Sequence, residues 1–312
     1  MKSACGRFFP QASRFSVHNR IVIRFSSLFS AFAYRVCSGL LNFTAPMFKL
    51  TVCLLTCNSA RLLREVLPPL IVVADEIIVL DSGSHDATLA ICQEYGITPH
   101  HQPYTMHGVQ MNHAIELASN DWVLCMDSDE ILDAETVDFI LRLKAGDEPH
   151  PQQAWRIARY WHVLGEEVRT IYPVSSPDFP VRLFNRTQAR FNQRPVDDKV
   201  EGAIQSVKIP GRVRHDTFYS LHEVFNKLNS YTSRLVKYQT VRPSIARGVI
   251  SAIGAFFKWY LFSGAWRQGR VGVVTGLYAT FYSFLKYFKA WYQRQEQKES
   301  AGKKRADSHV IE

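Results

Sequence analysis

Trp122-Val123-Leu124-Cys125-Met126-Asp127-Ser128-Asp129-Glu130 joins an uncharged apolar run to a cluster of carboxylates. An apolar run that stops abruptly at polar residues reads as a strand buried on both faces. Such strands belong to parallel sheets, whose ligands sit beyond the carboxyl ends of the strands. The same pattern occurs twice upstream. Leu50-Thr51-Val52-Cys53-Leu54-Leu55 runs into Thr56, Cys57 and Asn58, and Ser59 to Val73 then carries helical spacing. Glu76-Ile77-Ile78-Val79-Leu80 runs into Asp81-Ser82-Gly83-Ser84, followed by a helix over Asp86 to Tyr95 that Ser84 or Asp86 can cap. Met111 to Ala118 is again helical. Strands alternating with helices predict an α/β fold, a Rossmann-like, mainly parallel sheet flanked by helices. Asn58, Asp81 and Asp127-Ser128-Asp129 should then converge on one crevice.

Beyond Asp133 the pattern weakens. Ala154 to Trp161 and Val181 to Asn185 read as further strands, separated by a run broken at Pro173, Pro177 and Pro180, and Leu221 to Tyr238 reads as a long helix. Ile245 to Phe262 and Val271 to Phe288 are two apolar helical stretches. Val271 to Leu285 is uncharged for fifteen residues and Gly248 to Phe262 is interrupted only by Lys258, short of the roughly 18 to 20 residues that span a bilayer. Lys, Arg, Trp and Tyr on their flanks suit amphipathic, membrane-associated helices lying in the interface. The resulting division is a basic N-terminal extension over 1–46, a catalytic domain over 47–240, interfacial helices over 241–292 and a disordered tail over 293–312. Met47 could equally be the true start of translation.

The net charge of +9 would suit nucleic acid, anionic lipid or a phosphate-bearing substrate. Its placement decides among these. No Asp or Glu precedes Glu65, and twelve Lys or Arg stand against Glu296 and Glu299 between Arg242 and Arg305. The basic residues accompany apolar helices and no nucleic-acid motif is present, which favours a membrane surface. The six cysteines show no zinc spacing, and Cys53 and Cys125 read as small strand hydrophobes.

Carboxylates at a strand end can hold a divalent cation, which neutralises charge building on a departing phosphate. Oxygen ligands favour Mg²⁺ or Mn²⁺. Strand alternation would turn Asp127 and Asp129 to one side and Ser128 away. Asp81 can accept hydrogen bonds from a base or ribose, and Gly83 permits close backbone approach. Arg182, Arg186, Arg190 and Arg194 read as a solvated basic edge, or as acceptor-side groups suited to a phosphorylated sugar. His100, His101, His107, His113, His162 and His222 have no metal spacing and read as surface or core residues.

Thr56-Cys57-Asn58, Val79-Leu80-Asp81-Ser82-Gly83-Ser84-His85-Asp86-Ala87-Thr88, Gln110-Met111-Asn112-His113-Ala114 and Met126-Asp127-Ser128-Asp129-Glu130 together resemble the successive motifs of family 2 glycosyltransferases, which have the GT-A fold. They are most similar to the branch of bacterial lipopolysaccharide-core β-1,4-glucosyltransferases. The resemblance implies that Thr56, Asn58, Asp81, Gly83, Gln110, Asn112 and Asp127 bind the nucleotide-sugar donor. It implies Asp129 as metal ligand, with Asp127 and His215 as further candidates.

Displacement with inversion also needs a base for the acceptor hydroxyl. Pro195-Val196-Asp197-Asp198-Lys199-Val200-Glu201-Gly202 resembles the family segment Val-His-Glu-x-Val, with Asp198 in the glutamate's place and Asp197 in the histidine's. Asp198 is the foremost base, then Asp197, then Glu201. A neighbouring carboxylate would raise the pKa of one member of that pair.

The expected activity is transfer of a hexose, glucose from UDP-glucose foremost, to a lipid-linked saccharide acceptor in lipopolysaccharide core biosynthesis, at the cytoplasmic face of the bacterial inner membrane. A polyprenyl phosphate or exopolysaccharide acceptor, or a non-catalytic nucleotide-sugar-binding protein, are the alternatives.

Overall fold

The computed structural model describes residues 48–308. The extension over 1–46, Met47 and the last four residues of the tail lie outside the described residues.

The chain opens with β1 (Leu50–Thr56), α1 (Leu63–Val73), β2 (Glu76–Asp81), α2 (Thr88–Glu94), β3 (His100–His101), α3 (His107–Leu117) and β4 (Trp122–Asp127). β1 lies between β2 and β4, parallel to both, and the register sets Thr56 beside Asp81 and Leu55 beside Asp127. The strand ends are therefore level, and their polar residues meet along one edge. Apolar side chains on both faces of β1 and β4 make this possible. Cys53, Val123 and Cys125 pack with Met111, Ala114 and Ile115 of α3, and α1 covers the sheet through Leu63, Val66, Leu67 and Leu70, all fully buried.

The chain continues through β5 (Glu130–Leu132), α4 (Ala134–Ala145), β6 (Gln153–Val163), β7 (Glu166–Glu167), β8 (Thr170–Ile171), β9 (Val174–Ser175), β10 (Val181–Asn185), β11 (Ala189–Phe191), β12 (Val200–Gly202) and β13 (Gln205–Phe218). The main sheet runs β3-β2-β1-β4-β10-β6-β13-β5, with β7 on β6. Only its first half is parallel throughout. β10 is antiparallel to both β4 and β6, while β6 and β13 are parallel and β5 antiparallel to β13. The sheet is thus mixed, because hairpin-like returns replace helical crossovers after α4.

Last come α5 (Leu221–Tyr238), α6 (Ile245–Phe256) and α7 (Gly269–Ser308). Ser220 caps α5 by accepting from the Glu223 N–H at 3.1 Å, and Ser244 caps α6 by accepting from Arg247 at 3.3 Å. α6 continues as a π-helical turn over Phe257–Phe262. Together they make 18 residues apolar and long enough to cross a membrane by length and composition, longer than the sequence reading allowed. α7 is not a separate appendage. Val271, Tyr278 and Tyr282 share a core with Val163, Ile171, Phe218, Val224 and Leu228. The segment from Gln293, expected to be disordered, is helical as far as Ser308; its Gln, Lys, Glu, Arg and Ala residues are strong helix formers.

Candidate active site

Asp81, at the end of β2, is 2% exposed. It accepts from the Thr56 hydroxyl at 2.9 Å, the Gly83 and Ser84 N–H groups at 2.9 and 2.8 Å, and the Ser84 hydroxyl. A carboxylate offers about four lone-pair sites, and all are taken. Burial pushes its pKa up, but the bonds from Ser84, Thr56 and Gly83 outweigh that and hold it below the usual range. Asp81 thus builds the crevice wall rather than presenting a free carboxylate. Gly83 has φ +96°, a conformation that L side chains rarely adopt. That backbone need, rather than close approach, is what the structure displays there.

Asn58 faces this turn, and its side chain accepts from the His85 N–H at 2.9 Å. Gln110, fully buried, donates to the Ser82 hydroxyl at 3.0 Å and to the Gln102 carbonyl at 2.9 Å. Asn112 is occupied elsewhere. Its amide donates to the Phe191 carbonyl at 2.8 Å and accepts from the Phe191 N–H at 3.0 Å, pinning β11 to α3.

The carboxylates after β4 part company because the strand ends at Asp127, so its alternation stops there. Asp127 meets His107 Nε2 at 2.9 Å and Arg182 at 3.1 Å. Ser128 bonds the Ser59 hydroxyl at 2.6 Å. Asp129 meets His215 Nε2 at 3.2 Å. Glu130 turns fully inward, where Arg159 at 2.9 Å and Arg182 donate to it. Arg159 also binds Asp178 through two nitrogens, at 3.0 and 2.6 Å. Arg182 is therefore a buried counter-ion, not a solvated edge, since β10 sends it into the core beside two carboxylates. Burial would raise the Asp127 pKa, but His107 and Arg182 hold it well below the usual carboxylate range.

His107 stands in the first turn of α3. Its Nδ1 is 2.7 Å from Asp198 Oδ2, and its Nε2 reaches Asp127. Burial works against the charged ring, but the two carboxylates raise its pKa well above the ordinary value. With a carboxylate against each nitrogen, the ring donates to both when it carries both protons. The partner of Asp198 is this imidazole rather than Asp197, which is exposed with φ +58°.

Among the described residues no three His, Cys, Asp or Glu side chains form a ready metal cluster. Asp127, His215 and Asp129 are thus not gathered as one set, because His107 and Arg182 draw Asp127 away. Asp129 and His215 do fit a cation. Asp129 Oδ1 and His215 Nε2 converge at 3.2 Å, so both can face one cation; His215 Nδ1 is buried without a hydrogen-bond partner among the described residues, so the ring lacks the outer contact that usually orients a metal-bound imidazole. Burial raises the Asp129 pKa, but His215 and Lys227 outweigh it and keep the group ionised. Mg²⁺ is commonly held by one or two protein groups plus substrate phosphates.

Sequence reasoning gave no role to Glu130 or Arg159, and read His107 as a surface or core residue and Arg182 as a basic edge or acceptor-side group. A signal for His107 existed: extending the helix predicted from Met111 back by one turn places His107 on the face of Gln110, Met111 and Ala114.

Residues 51–158 match glycosyl transferase family 2. The lipopolysaccharide core biosynthesis glycosyltransferase LpsC of Rhizobium meliloti is 27% identical over 235 residues, covering 70% of this chain and 83% of that protein. An uncharacterized glycosyltransferase of Rickettsia felis is 26% identical over 256 residues, covering 78% and 89%. Among solved structures, S. aureus TarS 1-349 in complex with UDP-GlcNAc is 15% identical, covers 80% of this chain and 92% of that chain, and has a TM-score of 0.41. Residues 51–158 thus resemble glycosyl transferase family 2, and the similarity to bacterial glycosyltransferases runs on over most of the chain.

Proposed function

We propose that the enzyme transfers a hexose, glucose foremost, from a UDP-sugar with inversion to a lipid-linked saccharide of the lipopolysaccharide core. The observation that carries the chemistry is one imidazole joining Asp127 of the donor motif to Asp198 on the opposite wall. Asp198 Oδ1 accepts no hydrogen bond among the described residues, and there it takes the proton of the acceptor hydroxyl. The acceptor oxygen bonds to the anomeric carbon as the bond from that carbon to the phosphate oxygen breaks, and UDP leaves. Thr56, Asn58, Gly83 and Gln110 frame the donor crevice and Asp127 meets the nucleotide or sugar. Asp129 and His215 would hold Mg²⁺ or Mn²⁺, which neutralises charge on the departing diphosphate.

The acceptor class draws on likeness to LpsC and on the helices beyond Arg242. α6 and α7 leave apolar side chains in solvent, Ile250 at 70% and Phe262 at 83% exposed among them. Exposed Arg247, Lys258, Arg267, Arg270 and Trp266 accompany them. Such a face suits the anionic cytoplasmic leaflet of a bacterial inner membrane.

Purified enzyme is incubated with a panel of UDP-sugars and Mg²⁺ or Mn²⁺, with and without truncated lipopolysaccharide. Acceptor-dependent release of UDP is expected. Absence of metal-dependent turnover with every sugar would reject the reading. Asp198→Ala should lower transfer about 10²- to 10⁴-fold and spare UDP binding; undiminished transfer rejects that base.

A further inference from the structure

We infer that His107 is a positioning residue that fixes Asp198 relative to the donor, with Gly108 setting how closely the two walls meet. This rests on the reading of Asp198 as base. Asp198 sits in the connection between β11 and β12, which is tied to itself by Asn192 N–H to the Lys199 carbonyl at 2.9 Å and Lys199 N–H to the Asn192 side chain at 3.2 Å. Nothing in those bonds fixes the loop against the donor crevice. The Asp198 side chain is held by His107 alone among the described residues. His107 is itself constrained, by Asp127 on its other nitrogen and by the Phe191 ring, edge-on at 5.9 Å.

Gly108 supplies the other half of the device. A Cβ there would collide with the Asn192 carbonyl and come within 3.4 Å of Asp198 Oδ2. The start of α3 can approach the loop only because residue 108 has no side chain. The imidazole then spans the remaining gap, so donor carboxylate, ring and base form one rigid file across the crevice. A misplacement of about 1 Å can cost on the order of 10²-fold in rate, and a loop carboxylate without such a strut would not be held that closely.

The ring's two nitrogens can be tested separately. His107→Asn places an amide N–H near the Nδ1 position and keeps the bond to Asp198; His107→Gln places one near Nε2 and keeps the bond to Asp127. Amide hydrogen exchange across residues 192–199 of the full chain needs no acceptor. Protection there should survive in Asn and fall in Gln, Ala and Gly108→Ala. In assays with UDP-glucose and truncated lipopolysaccharide, kcat should fall about 10²-fold in Gln and Ala and less than about tenfold in Asn. The KM for UDP-glucose should move less than about threefold in Gln. Equal protection and equal kcat in Asn and Gln would overturn the inference, as would wild-type behaviour in Ala; if Ala fails to fold, the Asn and Gln pair still decides. Asp198→Ala separates the two readings. If it transfers like wild type, the base assignment fails and the inference with it. If it is inactive while His107→Ala keeps wild-type kcat, only the inference fails.

Discussion

The donor crevice and the α6–α7 hairpin lie in one chain but handle their side chains in opposite ways. At the strand ends many polar side chains are spent on one another, though Gln110 Oε1, Arg182 Nε and His215 Nδ1 are buried without a partner among the described residues. Asp81 saturates its turn, Glu130 holds two arginines, and Asn112 clasps Phe191. The hairpin spends its interior on close packing and leaves its outer face exposed among the described residues. Gly276 lies against the Tyr260 ring and Gly248 against Phe284, where a Cβ would not fit without displacement, while Ile250, Ile253 and Phe257 face outward. A preorganised polar site needs internal satisfaction. An apolar surface left open needs an external one.

The hardest test of that contrast is Glu130→Ala. It would leave Arg159 and Arg182 without their shared carboxylate in the core, and about 3 to 5 kcal/mol of stability should be lost, read by urea unfolding. A loss below about 1 kcal/mol would mean that the network is not tightly built. The corresponding test of the hairpin is Ile250→Glu with Phe262→Glu. Binding to vesicles with anionic headgroups should weaken about tenfold or more, with UDP affinity and thermal stability little changed. Unaltered vesicle binding would reject this face as a membrane contact. Deleting the helices outright is a poorer test, because Tyr278 and Tyr282 of α7 belong to the core.

The smallest effect concerns pH. The Asp81 pKa is depressed in the folded protein, so its hydrogen bonds contribute stability that is present above the unfolded value of about 4 and lost as pH falls through the folded one. Asp81→Asn lacks that dependence. The stability gap between wild type and variant should narrow as pH is lowered from about 5 to 3, measured by thermal denaturation; a constant gap would show that ionisation of Asp81 does not matter to the turn.

β1, β2 and β4 of the parallel half were legible because each is a short apolar run ending in polar residues; β3, His100–His101, carries no such pattern. α5 was legible too, with Ser220 and Glu223 spaced as a capping box. In the mixed half, β10 and β6 were legible as strands, but β13 and the pairing order were not. β6 and β13, 11 and 14 residues long, pair with two register shifts, and such long-range pairing leaves no period in the sequence. Within the site, motifs named the residues but not their partners. Asp81 is bonded within its turn and to Thr56, and Asn112 is bonded to Phe191, partners that spacing in the sequence cannot reveal. His107 escaped because its helix was started four residues late.

The Phe218 ring, three residues along β13 from His215, packs against Tyr278 of α7 at 5.5 Å. Were α7 to rest on a bilayer, as proposed, that contact would make the protein a gauge. The crevice would stand at a set height above the lipid plane, and only hydroxyls presented at that height could be glycosylated. Acceptors would then be selected by how far they reach from the membrane as well as by the sugar they carry.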